Sequence, residues 1–148
     1  MKTYESYKDS GIEWLGEIPA HWRNIALKRL VKIPITDGPH ETPKFTVEGV
    51  PFISAEAVID GKIDFSKARG YISYELDKVY SRKCKPKKGD IFIVKSGSTT
   101  GKVALVDTDR NFNIWSPLAL VRSKSEYINS LFLFAAVQSD YFRKQVEL

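Results

Sequence analysis

Cysteine is almost missing from this sequence: Cys84 stands alone among 148 residues, so neither an internal disulfide nor a cysteine-based zinc site can form within the chain. Histidine is nearly as scarce, with only His21 and His40, which argues against a histidine-rich metal centre. No apolar run approaches the length needed to span a bilayer, and Met1-Lys2-Thr3-Tyr4-Glu5 lacks the continuous apolar stretch of a signal peptide. Together these absences lead to the expectation of a cytoplasmic protein with no membrane partner. Low-complexity segments and internal repeats are missing too. Nor does the sequence contain a Gly-x-Ser-x-Gly elbow, a His-Glu-x-x-His pair or a glycine-rich dinucleotide fingerprint, so nucleophilic, metal-hydrolytic and dinucleotide chemistries have no foothold.

What is present describes an ordinary globular chain. With 43% hydrophobic residues, 148 positions suffice for one core and are too few for two ordinary domains. Lys and Arg number 23 against 18 Asp and Glu, a net charge of +5 that would attract a polyanion, although such charges also simply solubilise a surface.

Apolar spacing predicts a mixed α and β domain. Residues 1–21 read as an ordered lead-in carrying Trp14, Leu15 and Ile18, and 22–33 as a short strand leading into a helical turn. Residues 34–44 hold three prolines and a glycine, which excludes helix and central strand and leaves a stiff loop. Phe52-Ile53-Ser54 reads as a strand, and Asp60-Gly61 between apolar pairs marks a tight hairpin. Ser73 should cap a helix over 74–83 whose Leu76, Val79 and Tyr80 share a face. Strands are expected at Ile91–Val94, Val103–Val106, Phe112–Trp115 and Leu118–Val121. Helical spacing returns from Tyr127, with a buried aromatic stripe over 131–142 and a further piece at Tyr141–Val146. Leu148 falls in mid-pattern with no Gly or Asn stop, so the natural protein is expected to continue.

Four patterns invite a chemical reading. Gly97-Ser98-Thr99-Thr100-Gly101-Lys102 looks at first like a phosphate-cradling loop, but it has three residues between its glycines, no Ser or Thr after the lysine and a strand beyond, so a tight turn is the better assignment. Such a turn can still approach phosphates or base edges closely, flanked by Lys95 and Lys102. The run Lys78, Arg82, Lys83, Lys85, Lys87, Lys88 is a candidate phosphate track. Asp37, Asp60 and Lys62 loosely imitate a magnesium nuclease centre. His40, on the proline loop, is a candidate general base or hydrogen-bonding reader.

The order of motifs resembles a known family. Tyr7-Lys8-Asp9-Ser10-Gly11-Ile12-Glu13-Trp14-Leu15-Gly16-Glu17-Ile18-Pro19-Ala20-His21-Trp22 is similar to the opening of type I restriction-modification specificity subunits. Asp37-Gly38-Pro39-His40-Glu41-Thr42-Pro43, Pro51-Phe52-Ile53, Lys88-Gly89-Asp90-Ile91, Gly97-Ser98 and Gly101-Lys102 follow in that family's order. The resemblance implies a single α+β target-recognition domain over 1–148, with 1–21 as lead-in and 126–148 as the helical approach to a spacer helix. It implies recognition of one half of a split site in double-stranded DNA, with no catalysis by this chain and no cofactor of its own. S-adenosylmethionine, ATP and magnesium would belong to the modification and restriction subunits that partner it. Base-reading residues differ with each target, so the residues expected to meet DNA come from their loops: Thr36, His40, Thr42 and Lys44 on the proline loop, and Lys95, Ser96, Ser98, Thr99 and Lys102 on the glycine loop. Lys83, Lys85, Lys87 and Lys88 are expected on phosphates. The alternatives are a small magnesium-dependent nuclease and a protein-interaction module built on the aromatic C-terminal helix.

Overall fold

The structure, a computed structural model, describes residues 3–146. In chain order its strands are β1 (Tyr7–Asp9), β2 (Glu17–Pro19), β3 (Thr36–Asp37), β4 (Val50–Ile53), β5 (Val58–Ile59), β6 (Lys62–Ile63), β7 (Gly70–Ile72), β8 (Ile91–Val94), β9 (Val103–Leu105), β10 (Asn113–Ile114) and β11 (Leu118–Val121). The helices are α1 (Tyr74–Ser81), α2 (Ser130–Val137) and α3 (Asp140–Val146). This is the mixed α+β class that the apolar spacing predicts.

β8 explains the layering. Its four residues are all apolar and all buried. Successive side chains of a strand point to opposite faces, so Phe92 and Val94 join Ile53, Phe112, Ile114, Leu118 and Leu120 in one core while Ile91 and Ile93 join Val121, Leu133 and Val137 in another. A strand covered on both faces has no position for a polar residue. β11 divides in the same way, Leu118 and Leu120 to the first core and Val121 to the second. These strands are the centre of an antiparallel sheet ordered β3-β11-β8-β9. A second sheet, β10-β4-β7, pairs β10 parallel and β7 antiparallel to β4. Its Val50, Phe52 and Ile72 pack on Tyr80 of α1 in a third cluster.

The Asp60-Gly61 hairpin forms as expected between β5 and β6, with positive φ at both residues. So does the cap of α1, where the Ser73 hydroxyl accepts from the Leu76 N–H at 3.1 Å. The face of α1 differs from expectation: Val79 is exposed and Asp77 is buried in its place. Asp77 is tolerated there because Lys85 and Asn113 donate to its carboxylate. Residues 22–33 form a 3₁₀ turn at Leu27–Arg29 and a lone bridge from Val31 to Ser123 rather than a strand. The aromatic stripe of the C-terminal helices is also corrected. Only Leu133 and Val137 of α2 are buried, whereas Leu131 and Phe132 are 61% and 58% exposed. Residues two apart lie about 200° around a helix, so Phe132 and Phe134 cannot share a buried face. From Thr3 on, the lead-in packs on the body, with Ile18 buried and Trp14 stacked on Tyr141 of α3 at 5.7 Å between centroids; its Met1 and Lys2 lie outside the described residues.

Phe92 is fully buried between the two sheets, so Phe92→Ala is expected to cost about 3–5 kcal/mol through lost burial and a residual cavity. Urea unfolding measures this, and a loss below about 1 kcal/mol would contradict the packing described.

Candidate nucleic-acid interface

The proline loop is held along its length by the strands beneath it. Thr36 and Asp37 form an edge strand against Leu120 and Ala119 of β11. Gly38 then lies so close to β10 that a Cβ there would sit 1.9 Å from the Ile114 carbonyl oxygen, a contact only glycine avoids. The Pro39 carbonyl accepts from the Ser116 N–H at 3.2 Å, and the Glu41 carbonyl accepts from the Trp115 indole N–H at 3.1 Å. The Tyr80 hydroxyl donates to the Glu41 carboxylate at 2.9 Å. Burial, reinforced by that carboxylate, pushes the Tyr80 phenol up to about 12, so it remains a donor.

The glycine loop closes the β8–β9 hairpin. The Val94 N–H donates to the Lys102 carbonyl and the Gly101 N–H to the Val94 carbonyl, both at 2.8 Å. Gly97 and Gly101 adopt φ of +96° and +88°, values that side chains resist. Ser96, Ser98 and Lys102 are exposed at the tip, with Thr99 partly covered. The loop is tied to the β10–β11 turn by the Lys95 N–H, which donates to the Pro117 carbonyl at 2.9 Å.

Asp37 joins these pieces. Its Oδ1 accepts from Lys83 Nζ at 2.5 Å and its Oδ2 from Lys95 Nζ at 2.5 Å, while His40 Nε2 lies 3.0 Å from Oδ2. Lys83 also reaches the Gly38 carbonyl at 3.3 Å. Burial works against a charge on Asp37, but the hydrogen bonds from Lys83 and Lys95 outweigh it and hold the carboxyl well below the usual carboxylate range. One carboxylate between two ammonium groups leaves the cluster net positive. The proline loop, the segment after α1 and the glycine loop therefore meet at one cationic point.

The other residues expected on DNA divide. Thr36 is partly covered in β3, and Thr42 and Lys44 are exposed on the far half of the proline loop. Lys87 is exposed, and Lys88 is an exposed residue 3.6 Å from Asp109. Lys85 departs from the phosphate track. Its ammonium turns inward to Asp77 at 2.9 Å, to Asn111 and to the Phe112 carbonyl at 3.4 Å. Burial disfavours the Asp77 charge, yet Lys85 and then Asn113 lower its pKa, so the carboxyl stays ionised. The nuclease constellation is not assembled. Asp37 lies on β3, whereas the Asp60 hairpin lies beside β9 through the Gly61–Ala104 bridge, and β3 and β9 are opposite edges of one sheet. Three strand spacings of about 4.8 Å separate them. Among the described residues, no group of three or more His, Cys, Asp or Glu could hold a metal ion, and no helix is long and apolar enough to cross a membrane.

Sequence reasoning missed the turn Trp115-Ser116-Pro117. Its hydrogen-bond partners include Glu41, Pro39 and Lys95, so it binds both loops at once. Ser116-Pro117 signalled only a break between strands. Arg69 was missed as well; its guanidinium carbon lies 5.0 Å from the centre of the Trp115 ring.

Asp37→Asn should loosen both loops. The loss of two charge-assisted hydrogen bonds is expected to destabilise the chain by about 2 kcal/mol. Because the folded pKa of Asp37 is lowered, its contribution is complete above about pH 4 and is lost as pH falls below that value. In the Asn variant, the drop in melting temperature between pH 5 and pH 3 is expected to be shallower than in the parent (sampling points chosen on the ordinary Asp value of about 3.9); an equal drop would contradict the role given to Asp37.

By sequence, no family profile and no characterised protein matches the chain. By fold, several solved chains do, among them two S subunits. The HsdS subunit from Thermoanaerobacter tengcongensis superposes with a TM-score of 0.62 at 16% identity, covering 95% of this chain and 31% of that one. The S subunit of a type I restriction-modification system from M. genitalium superposes with a TM-score of 0.52 at 14% identity, covering 83% of this chain and 27% of that one. This chain thus spans about a third of the length of the structures it resembles, and over that span it has their fold.

Proposed function

We propose that the chain recognises a short sequence in double-stranded DNA and serves as one half-site reader of a type I restriction-modification complex. The observation that carries this reading is the meeting of the proline loop, the glycine loop and Lys83 around Asp37, which gives a net positive, backbone-stiffened surface. The fold likeness to two S subunits supports it. In this reading residues 1–148 are a single target-recognition domain, with 1–21 as lead-in and 126–148 leading toward a spacer helix. Methylation and cleavage are left to modification and restriction subunits, which supply S-adenosylmethionine, ATP and magnesium, and the complex works in the cytoplasm.

Lysines would neutralise phosphates and fix register, while loop side chains distinguish bases. Lys83, Lys87, Lys88, Lys95 and Lys102 are the candidates for phosphates. Thr36, His40, Thr42, Lys44, Ser96, Ser98 and Thr99 are the candidates for base edges. Lys85, expected on phosphates, is left out of that group because of its inward pairing.

A second reading, that of a protein-interaction module, is favoured by one observation. An apolar groove of about 780 Å³, lined by Leu15, Ile18, Trp22, Tyr127, Phe132 and Val137, lies between the lead-in and α2.

Mobility shifts with duplex DNA at rising salt separate the two. DNA recognition predicts that log affinity falls linearly with log salt, with a slope of about 0.9 per phosphate contacted. Lys102→Ala is expected to reduce that slope by about 1, whereas Lys85→Ala, measured on folded protein, leaves it unchanged. No shift even at low salt would reject DNA recognition and favour the interaction module. Plasmid cleavage with magnesium, abolished by Asp60→Ala, would instead restore the nuclease.

A further inference from the structure

Arg69 lies outside every motif, immediately before β7, and its surroundings fix it from two directions. One amino group of its guanidinium donates to Glu56 Oε1 at 3.0 Å. Its guanidinium carbon lies over the Trp115 ring, 5.0 Å from the centroid. Trp115 is itself fixed, with its indole N–H on the Glu41 carbonyl and its ring 6.3 Å from that of the fully buried Phe52. Glu56 keeps its charge: burial opposes it, but its own backbone N–H and then Arg69 lower its pKa. Despite these restraints the Arg69 side chain is 46% exposed.

A half-exposed ion pair contributes little to stability, and a lysine would serve that purpose equally well. A planar guanidinium held over an indole and at one amino group serves another. Its remaining N–H donors make no hydrogen bond among the described residues, and two of them lie in one plane at the spacing of a guanine's O6 and N7. No other base presents two adjacent acceptors in the major groove. The location fits as well, because Trp115 begins the turn whose next two residues hold Pro39 of the proline loop and Lys95 of the glycine loop.

We propose that Arg69 is a specificity-determining residue that reads a guanine of the target duplex, with Trp115 and Glu56 as the positioning residues that aim it. This rests on the DNA-recognition reading above and adds to it a base and the side chain that selects it.

The test is selection of bound duplexes from a randomised pool by the chain and by its Arg69→Ala, Arg69→Lys and Glu56→Gln variants, each first checked for an unchanged thermal transition. The parent is expected to enrich a short motif containing a guanine. Arg69→Ala and Arg69→Lys should each lower the preference for that guanine about tenfold and leave the other positions intact. Arg69→Lys keeps the charge and so covers the case in which Arg69→Ala does not fold. Glu56→Gln should retain the guanine with a weaker preference. If the parent enriches a motif and both Arg69 variants enrich the same one, or lose a base other than guanine, the inference is overturned while DNA recognition stands. If the parent binds no duplex, the underlying reading fails and the inference fails with it.

Discussion

Two ammonium groups on one carboxylate, Lys83 and Lys95 on Asp37, hold the candidate surface in register. The three residues are far apart in the sequence, so the ion pairs close long loops and tie together segments that no strand pairing joins directly. Their geometry in turn depends on the sheet. Asp37 is positioned by pairing with Ala119, and Lys95 immediately follows β8. Both anchoring strands are buried on two faces, and a one-residue shift would exchange the side chains of the two cores, setting Ile91 and Ile93 where Phe92 and Val94 pack and misfitting both.

The same arrangement decides which charges remain for a ligand. A basic run in the sequence looks like one track, but the fold treats its members differently. Lys85 is consumed by a partly buried network with Asp77, Asn111 and Phe112, whereas Lys83, although held by Asp37 and Gly38, stays half-exposed. Arg122 is likewise taken up by buried Asp90, which raises its pKa through their hydrogen bond. Lys102 makes no side-chain hydrogen bond or ion pair among the described residues. A surface assembled in this way has stiff backbone, a few fixed cations and a few free ones, which suits a ligand with regularly spaced negative charge and distinctive edges.

Much of the fold was legible because local rules and tertiary structure agree. The runs 91–94 and 118–121 are apolar without interruption and become the doubly covered strands; Asp60-Gly61 becomes the hairpin, and Ser73 the cap. Legibility fails where a residue's partner is distant. Nothing near Asp77 announces that Lys85 and Asn113 will pay for its burial, so Val79 took its place in the expected core face. Phe132 reads as core by composition, and only the placement of α2 on one side of the sheet shows that it is not. In the candidate site the two loops were visible from their prolines and glycines. The carboxylate that joins them, the turn at 115–117 and the Arg69–Trp115 contact were not, because each is a contact between segments that the sequence separates by dozens of positions.

The central claim is that the proline loop, the glycine loop and the turn beneath them form one face that meets duplex DNA. Amide hydrogen exchange with and without a duplex obtained by selection tests it most directly. The account predicts that protection appears together in residues 36–44, 95–102 and 115–117. Protection confined to residues 127–142 around the apolar groove, with those three segments unchanged, would contradict it.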